Sequence, residues 1–164
     1  MKKYKILYDS ELIIHKHVLY RIEACCTFRT FQGSLVREGE VGGWIESNKN
    51  LSQSKFSWVF DEGKVYGDSQ VLDDAVVMDT AEVYQNAKIY NKAIVRGDAY
   101  IYSSEDVLFI SYNFSKRGLT FFKAREDEIC VSNGYTYRLE DYLNMLNNQS
   151  FNKERDILLL AKKY

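Results

Sequence analysis

The chain has 164 residues, with Lys+Arg 22 against Asp+Glu 23, a formal net charge of −1, 46% hydrophobic residues and 27% charged ones. That length suits one domain with small appendages, and the apolar fraction is enough for a core and too high for disorder. The balanced charge excludes both the basic bulk signal of a nucleic-acid binder and the acidic excess of a DNA mimic. No apolar run approaches the roughly 18 residues of a membrane span, and no signal-peptide pattern follows the basic start Met1–Lys5. A soluble, cytoplasmic protein is expected, with no membrane partner and no direct DNA binding. Proline is absent where average usage would give about eight, and there are 13 tyrosines.

Tyr4 to Tyr8 and Val18 to Phe28 read as strands. Strand alternation would put His15 and His17 on one face, a two-point chelate at most; two ligands make a poor site and no third is near, so no metal and no cofactor is expected. The adjacent pair Cys25-Cys26 lacks the spacing of a zinc knuckle or a disulfide and reads as core. The stretch Val36 to Ser47 is turn-rich, and Gly42-Gly43 lets the backbone fold tightly before Trp44 and Ile45. Residues 1–50 thus form an N-terminal β segment and cap, in which Trp44, with Trp58 just beyond, is expected to cover the open mouth of the next region.

From Val59 the chain reads VFDEGK, VYGDSQ, VLDDAV, VMDTAE, VYQNAK, IYNKAI, VRGDAY and IYSSED, eight six-residue units without an insertion. The first position is always Val or Ile, and the fifth is small in all but the last unit. The third and fourth positions are rich in Gly, Asn and Asp. Six is not a helical period; it fits a short strand followed by a corner, with the first and fifth positions inward and a left-handed backbone tolerated at the bend. Three units make one coil, so residues 18 apart stack about 4.8 Å apart. The fold class expected is mainly β, a short parallel β-helix over residues 51–111.

The second position of each unit points outward, which defines three columns: Phe60, Met78 and Arg96; Tyr66, Tyr84 and Tyr102; Leu72, Tyr90 and Leu108. A tyrosine ladder beside an apolar column exceeds what solvent-facing walls require. It marks either a packing or oligomer interface, with Leu72, Tyr90 and Leu108 in that role, or a ligand-stacking surface. The corner carboxylates Asp68, Asp73, Asp74, Asp79 and Asp98 are explained by turn geometry.

Residues 112–164 read as a C-terminal α+β cap. Val107 to Tyr112, Leu119 to Ala124 and Glu128 to Val131 are strand-like, with turns at Lys116-Arg117-Gly118 and Asn133-Gly134. Helical spacing follows over Leu139, Tyr142, Leu143 and Leu146, and again from about Lys153 to Lys163, with Asn152 as its cap.

The hexapeptide pattern resembles that of left-handed parallel β-helices known from acyltransferases and γ-class carbonic anhydrases, and this resemblance implies a left-handed coil. Those enzymes use histidines in or between coils; the coils here contain none, so neither chemistry carries over. The string VREGEVGGWIES, then NLSQ, then WVFDEGKVYGDSQV, is similar to a family of phage and prophage hexapeptide-repeat proteins with a GGWIE…NLS…WVYDNAKVYGNA pattern. That resemblance implies a mobile-element origin and no established chemistry. No P-loop, dinucleotide fingerprint or nucleophile elbow is present.

The expected function is non-catalytic: an oligomeric phage or prophage protein that binds a host component and antagonises a defence system, either by occluding an effector protein or by sequestering a signalling nucleotide. The residues placed at the contact are Tyr66, Tyr84 and Tyr102 with Arg96, or with Arg117 and Arg125 at the exit of the coil, because a nucleotide wants aromatic stacking plus cations. The alternatives are a self-assembling structural or virion scaffold, and a β-helix acyl- or nucleotidyltransferase with a base imported from His15 or His17.

Overall fold

The computed structural model describes residues 2–112, 115–125, 128–132 and 136–147. A hairpin comes first, β1 (Tyr4–Ile14) against β2 (His17–Ala24), then the short pair β3 (Phe28–Arg29) and β4 (Leu35–Val36), then β5 (Val41–Ile45). His15 sits in the hairpin turn with a φ of 54°, so the two histidines do not share a strand face. The predicted strand over 18–28 is broken after Ala24, where Cys25 and Cys26 form a bend.

Eight two-residue strands follow, one at each unit boundary: β6 (Trp58–Val59), β7 (Lys64–Val65), β8 (Gln70–Val71), β9 (Val76–Val77), β10 (Glu82–Val83), β11 (Lys88–Ile89), β12 (Ile94–Val95) and β13 (Tyr100–Ile101). They stack as a three-sided parallel solenoid. One side is β5-β7-β10-β13, the second is β8-β11 with a bridge from Leu51 to Val71, and the third is β6-β9-β12. The coil starts with Trp44-Ile45, earlier than the hexapeptide register announces. Ile45 pairs with Val65 and Leu51 with Val71, 20 residues on, whereas Val59 pairs with Val77, 18 on. The first coil therefore carries two extra residues between Leu51 and Val59, and they hide the repeat.

The first-position residues from Val59 to Ile101 are all fully buried, as are the alanines at the fifth position. Each such Val or Ile contributes roughly 1.5–3 kcal/mol. The third position adopts a left-handed backbone seven times running, at Asp61, Gly67, Asp73, Asp79, Gln85, Asn91 and Gly97, with φ between 51° and 68°. Each corner reverses the chain through one such residue, and this explains the Gly/Asn/Asp preference there. Corner carboxylates also satisfy the amide of the matching residue one coil up: Asp73 accepts from Asn91 N–H at 3.1 Å and Asp79 from Gly97 N–H at 3.0 Å.

Beneath the last coil, the backbone N–H groups at the second and sixth positions donate to carbonyls of the coil above, as do those of Glu62, Asp74 and Thr80 at the fourth; examples are Tyr66 to Val83 at 3.0 Å, Asp74 to Asn91 at 2.9 Å and Lys64 to Ala81 at 2.9 Å. The last coil has no coil above it. Side chains take over: Ser104 Oγ accepts from Lys88 N–H at 2.9 Å, Thr120 Oγ1 from Ile94 N–H at 2.9 Å, and Asp106 Oδ2 from Tyr102 N–H at 3.1 Å. At the base, the buried side chain of Asn50 donates to the Gly67 and Ser69 carbonyls, and a Cβ on Gly43 would come within 2.6 Å of the Gly63 carbonyl oxygen. The glycine pair and the NLS string are thus parts of the first coil.

After Ile101 a 3₁₀ turn (Ser104–Asp106) with a Ser103 capping box ends the solenoid. The chain continues into a four-stranded antiparallel sheet, β14 (Val107–Tyr112), β15 (Ser115–Lys123), β16 (Ile129–Ser132) and β17 (Thr136–Arg138), and a helix, α1 (Leu139–Asn147). Residues 116–118, expected as a turn, lie inside β15; Gly118 has a φ of 71° at a register irregularity, where a Cβ would meet the Phe109 ring at 2.7 Å. The predicted Asn133-Gly134 turn and the second helix fall outside the described residues.

Two outcomes follow. Gln85 is exposed and carries a left-handed φ of 56°; Gln85→Gly should raise the urea-unfolding free energy slightly, while Gln85→Val should lower it by about 1–2 kcal/mol. Lys3 is buried, and its ammonium donates to the Ser57 carbonyl at 2.7 Å. Burial pushes its pKa down to about 8 from 10.5, against smaller opposing effects of Cys26 and Asp74. Between those two values the unfolded chain binds more protons, so stability rises with pH. Relative to Lys3→Met, the protein should gain on the order of 2 kcal/mol from pH 8 to pH 10 in urea titrations; a flat difference would contradict the burial assignment.

Candidate functional site

On the first side of the solenoid the inward residue of each strand is flanked by two outward ones, at the sixth and second positions. Ladder pairing puts Trp44, Lys64, Glu82 and Tyr100 in one outer column. The second-position column beside it holds Tyr66, Tyr84 and Tyr102, in one continuous stack. The Tyr66 and Tyr84 ring centroids are 5.5 Å apart and nearly parallel, at 19°, and Tyr84 lies 6.2 Å from Tyr102 and 5.1 Å from Tyr100.

Both ends of the stack are anchored by other parts of the chain. Below, the His17 ring from β2 lies 4.9 Å from Tyr66, with Nδ1 3.1 Å from Glu46. Above, Ala124 bridges to Ala99, which brings Lys123 to 5.6 Å from the Tyr102 ring centroid and Arg125 to 4.9 Å from that of Tyr100. The buried carboxylate of Glu82 lies between them, accepting from the Tyr66 hydroxyl and from Arg125 Nη2 at 3.2 Å. Burial, followed by the bond to Glu82, raises the Tyr66 phenol well above its ordinary range. Burial also raises Tyr84, with a hydrogen bond to Tyr100 second. These phenols stay neutral and work as stacking and hydrogen-bonding groups.

Tyr66, Tyr84 and Tyr102 are brought together as the period requires, but the lower end is covered: Tyr66 is 1% exposed and Tyr102 39%. Arg125 joins them. Arg96 does not: it stands at another corner, with Nε 3.0 Å from Asp79. The side chain of Arg117 lies outside the described residues. Leu72 is half-buried and Tyr90 exposed at the expected corner. Leu108 is not the next rung of their column, because the chain leaves the coil after Ile101 and Leu108 pairs with Phe121 in β14–β15; even so, Tyr90 and Leu108 line one small cleft. Trp58 is fully buried but does not sit over the mouth: it pairs with Val76 on the outer face of the third side, where Tyr4 and Phe28 cover it edge-on. Trp44 does not cover the mouth; alternation turns Ile45 inward and puts Trp44 on the outer wall, beneath Arg21 at 4.1 Å and donating to Glu62 at 3.0 Å.

His17, Glu82, Tyr100 and Lys123 are members of the wall that the period alone did not single out. Alternation could have found Glu82 and Tyr100, since the sixth position must also face outward; His17 and Lys123 come from flanking strands whose register has no repeat to reveal it. A shallow cleft of about 390 Å³ opens beside the stack, lined by His17, Gly67, Asp68, Tyr84, Gln85 and Asn86. Among the described residues no group of three His, Cys, Asp or Glu could hold a metal ion, and no helix is long and apolar enough to cross a membrane. Burial pushes the Cys130 thiol up to about 11, away from nucleophilic use at neutral pH. Comparison with models of known protein families gives no match, and comparison with curated proteins gives none either.

Glu82→Ala would leave the buried Tyr66 hydroxyl without its acceptor and free Arg125; a loss of about 2 kcal/mol is expected in urea unfolding, with Glu82→Gln costing less. Glu105→Ala, at an exposed position, should be neutral.

Proposed function

We propose that the chain is a non-catalytic binding protein whose contact surface is the exposed upper part of the tyrosine wall. The observation that carries this reading is the anchored stack of Tyr66, Tyr84 and Tyr102: three rings held in register by the ladder, fixed below by His17 and above by Lys123. Aromatic groups held this way contribute contact area at little entropic cost on binding. With Arg125 and Lys123 at its edge the wall offers rings and cations side by side, which suits an acidic or aromatic partner.

The resemblance to phage and prophage proteins supports a host component as that partner, and antagonism of a host defence system as the role, through an effector protein or a signalling nucleotide. The exposed Tyr90 and Leu108 support a homo-oligomer. A scaffold that grows end to end is disfavoured, because flanking segments cover both ends of the coil and the upper ladder is capped by side chains.

The test is capture from a bacterial host lysate followed by native mass spectrometry. A component retained by the wild-type chain and by Arg96→Ala, and lost with Tyr102→Ala, is the expected result. Equal retention by Tyr102→Ala would remove the wall from the contact. The same spectra report the oligomer, expected as one discrete mass that Tyr90→Ala reduces.

A further inference from the structure

A second corner of the solenoid offers unspent polar groups, and it is distinct from the tyrosine wall. Two columns run up it, 18 residues per step: Lys55, Asp73 and Asn91 at the left-handed position, and Phe56, Asp74 and Lys92 beside them. Phe109 and Ser111 of β14 border the upper end, and between corner and strand lies a cleft of about 400 Å³. That volume is within the range of small-molecule sites, which favour junctions between structural units.

The lower half of this corner is internally satisfied. Asp73 takes the Lys55 ammonium at 2.8 Å and the Asn91 amide N–H at 3.1 Å. The upper half is not. Among the described residues Lys92 meets no carboxylate; its ammonium rests on the Phe31 ring, 3.9 Å from the centroid. Asp74 accepts a single, long hydrogen bond, from Phe56 N–H at 3.4 Å, and feels the Lys3 and Lys55 ammonium groups only through space. The Asn91 side-chain amide and the Ser111 hydroxyl have no hydrogen-bond partner among the described residues. By contrast, at the neighbouring corner Asp79 is fully engaged by Arg96 and Gly97.

The chemistry of these groups specifies a ligand. An ionised carboxylate only accepts, so the edge facing Asp74 must carry N–H donors, and Asn91 supplies both a donor and an acceptor beside it. This is how carboxylate and amide side chains read the amino-bearing edge of a base. Phe109 offers a flat apolar stacking partner, Ser111 a hydroxyl, and Lys92 a cation for an anionic group. We propose that this corner binds a purine nucleotide, with the base against Phe109, its amino edge on Asp74 and Asn91, and its phosphate toward Lys92.

Isothermal titration calorimetry on the full chain tests this with GMP, AMP, UMP, guanosine and inorganic phosphate. GMP or AMP should bind with a Kd below about 1 mM, and UMP, which has no amino group, about tenfold more weakly or worse. Lys92→Gln should weaken the purine nucleotide about tenfold and leave guanosine unchanged. Asp74→Asn, which adds a donor, should narrow the ratio between GMP and UMP. Tyr84→Ala should change none of these values, which separates this site from the tyrosine wall. The proposal is overturned if no nucleotide binds at about 5 mM, if inorganic phosphate binds as well as GMP, if Asp74→Asn weakens every ligand equally, or if Tyr84→Ala abolishes binding.

Discussion

The constraint on which everything else depends is the assignment of backbone N–H groups across the coils. At the second and sixth positions and most fourth positions they bond upward, at most fifth positions they close the corner, and at the third they meet a carboxylate from the coil below at several corners. Proline would remove a donor from almost any of these places, and at the third position its fixed φ is incompatible with the left-handed corner. The absence of proline over the coil follows directly. The ladder also fixes the register, because a one-residue slip would turn the buried Val and Ile columns outward and leave the small fifth-position residues on the wrong side of each corner.

The tyrosine wall is a by-product of that register put to use. Once residues 18 apart are stacked, any residue type repeated at an outward position becomes a column. Three tyrosines in such a column form a rigid platform, because backbone pairing has already fixed their relative positions. The flanking segments then decide how much of it is available. The hairpin seals the lower ring with His17, which Glu46 of the first coil holds, and β15 with the residues just after it brings Lys123 and Arg125 to the upper rings. Glu82 ties the two together, since the same carboxylate meets a tyrosine of the first complete repeat coil and an arginine of the C-terminal sheet.

The coil was legible in the sequence because its physics is periodic: the inward Val/Ile, the small fifth residue and the Gly/Asn/Asp corner recur without interruption from Val59 onward. The first coil was harder to see, since two extra residues before Val59 break the spacing. Trp44 was therefore expected over the mouth, when alternation places it on the wall. The Leu108 rung failed for a complementary reason. Its spacing is right, but the Ser103 capping box and the 3₁₀ turn end the coil just before it, and a short polar cap is a weak signal beside eight repeated leaders. Contacts such as His17 to Tyr66, or Thr120 to Ile94, join segments far apart in sequence with no period relating them. They appear only once the chain is folded.

The central claim is that the solenoid is one closed ladder, ended above by side chains that replace a missing coil. Native-state amide hydrogen exchange measures this directly. The amides of Lys88, Ile94 and Tyr102, held by Ser104, Thr120 and Asp106, should be protected to the same order as those of Lys64, Met78 and Tyr84 in the coils beneath. If the three upper amides exchange at the rate of an unstructured chain while the lower three remain protected, the ladder is open at the top and the account of its termination is wrong.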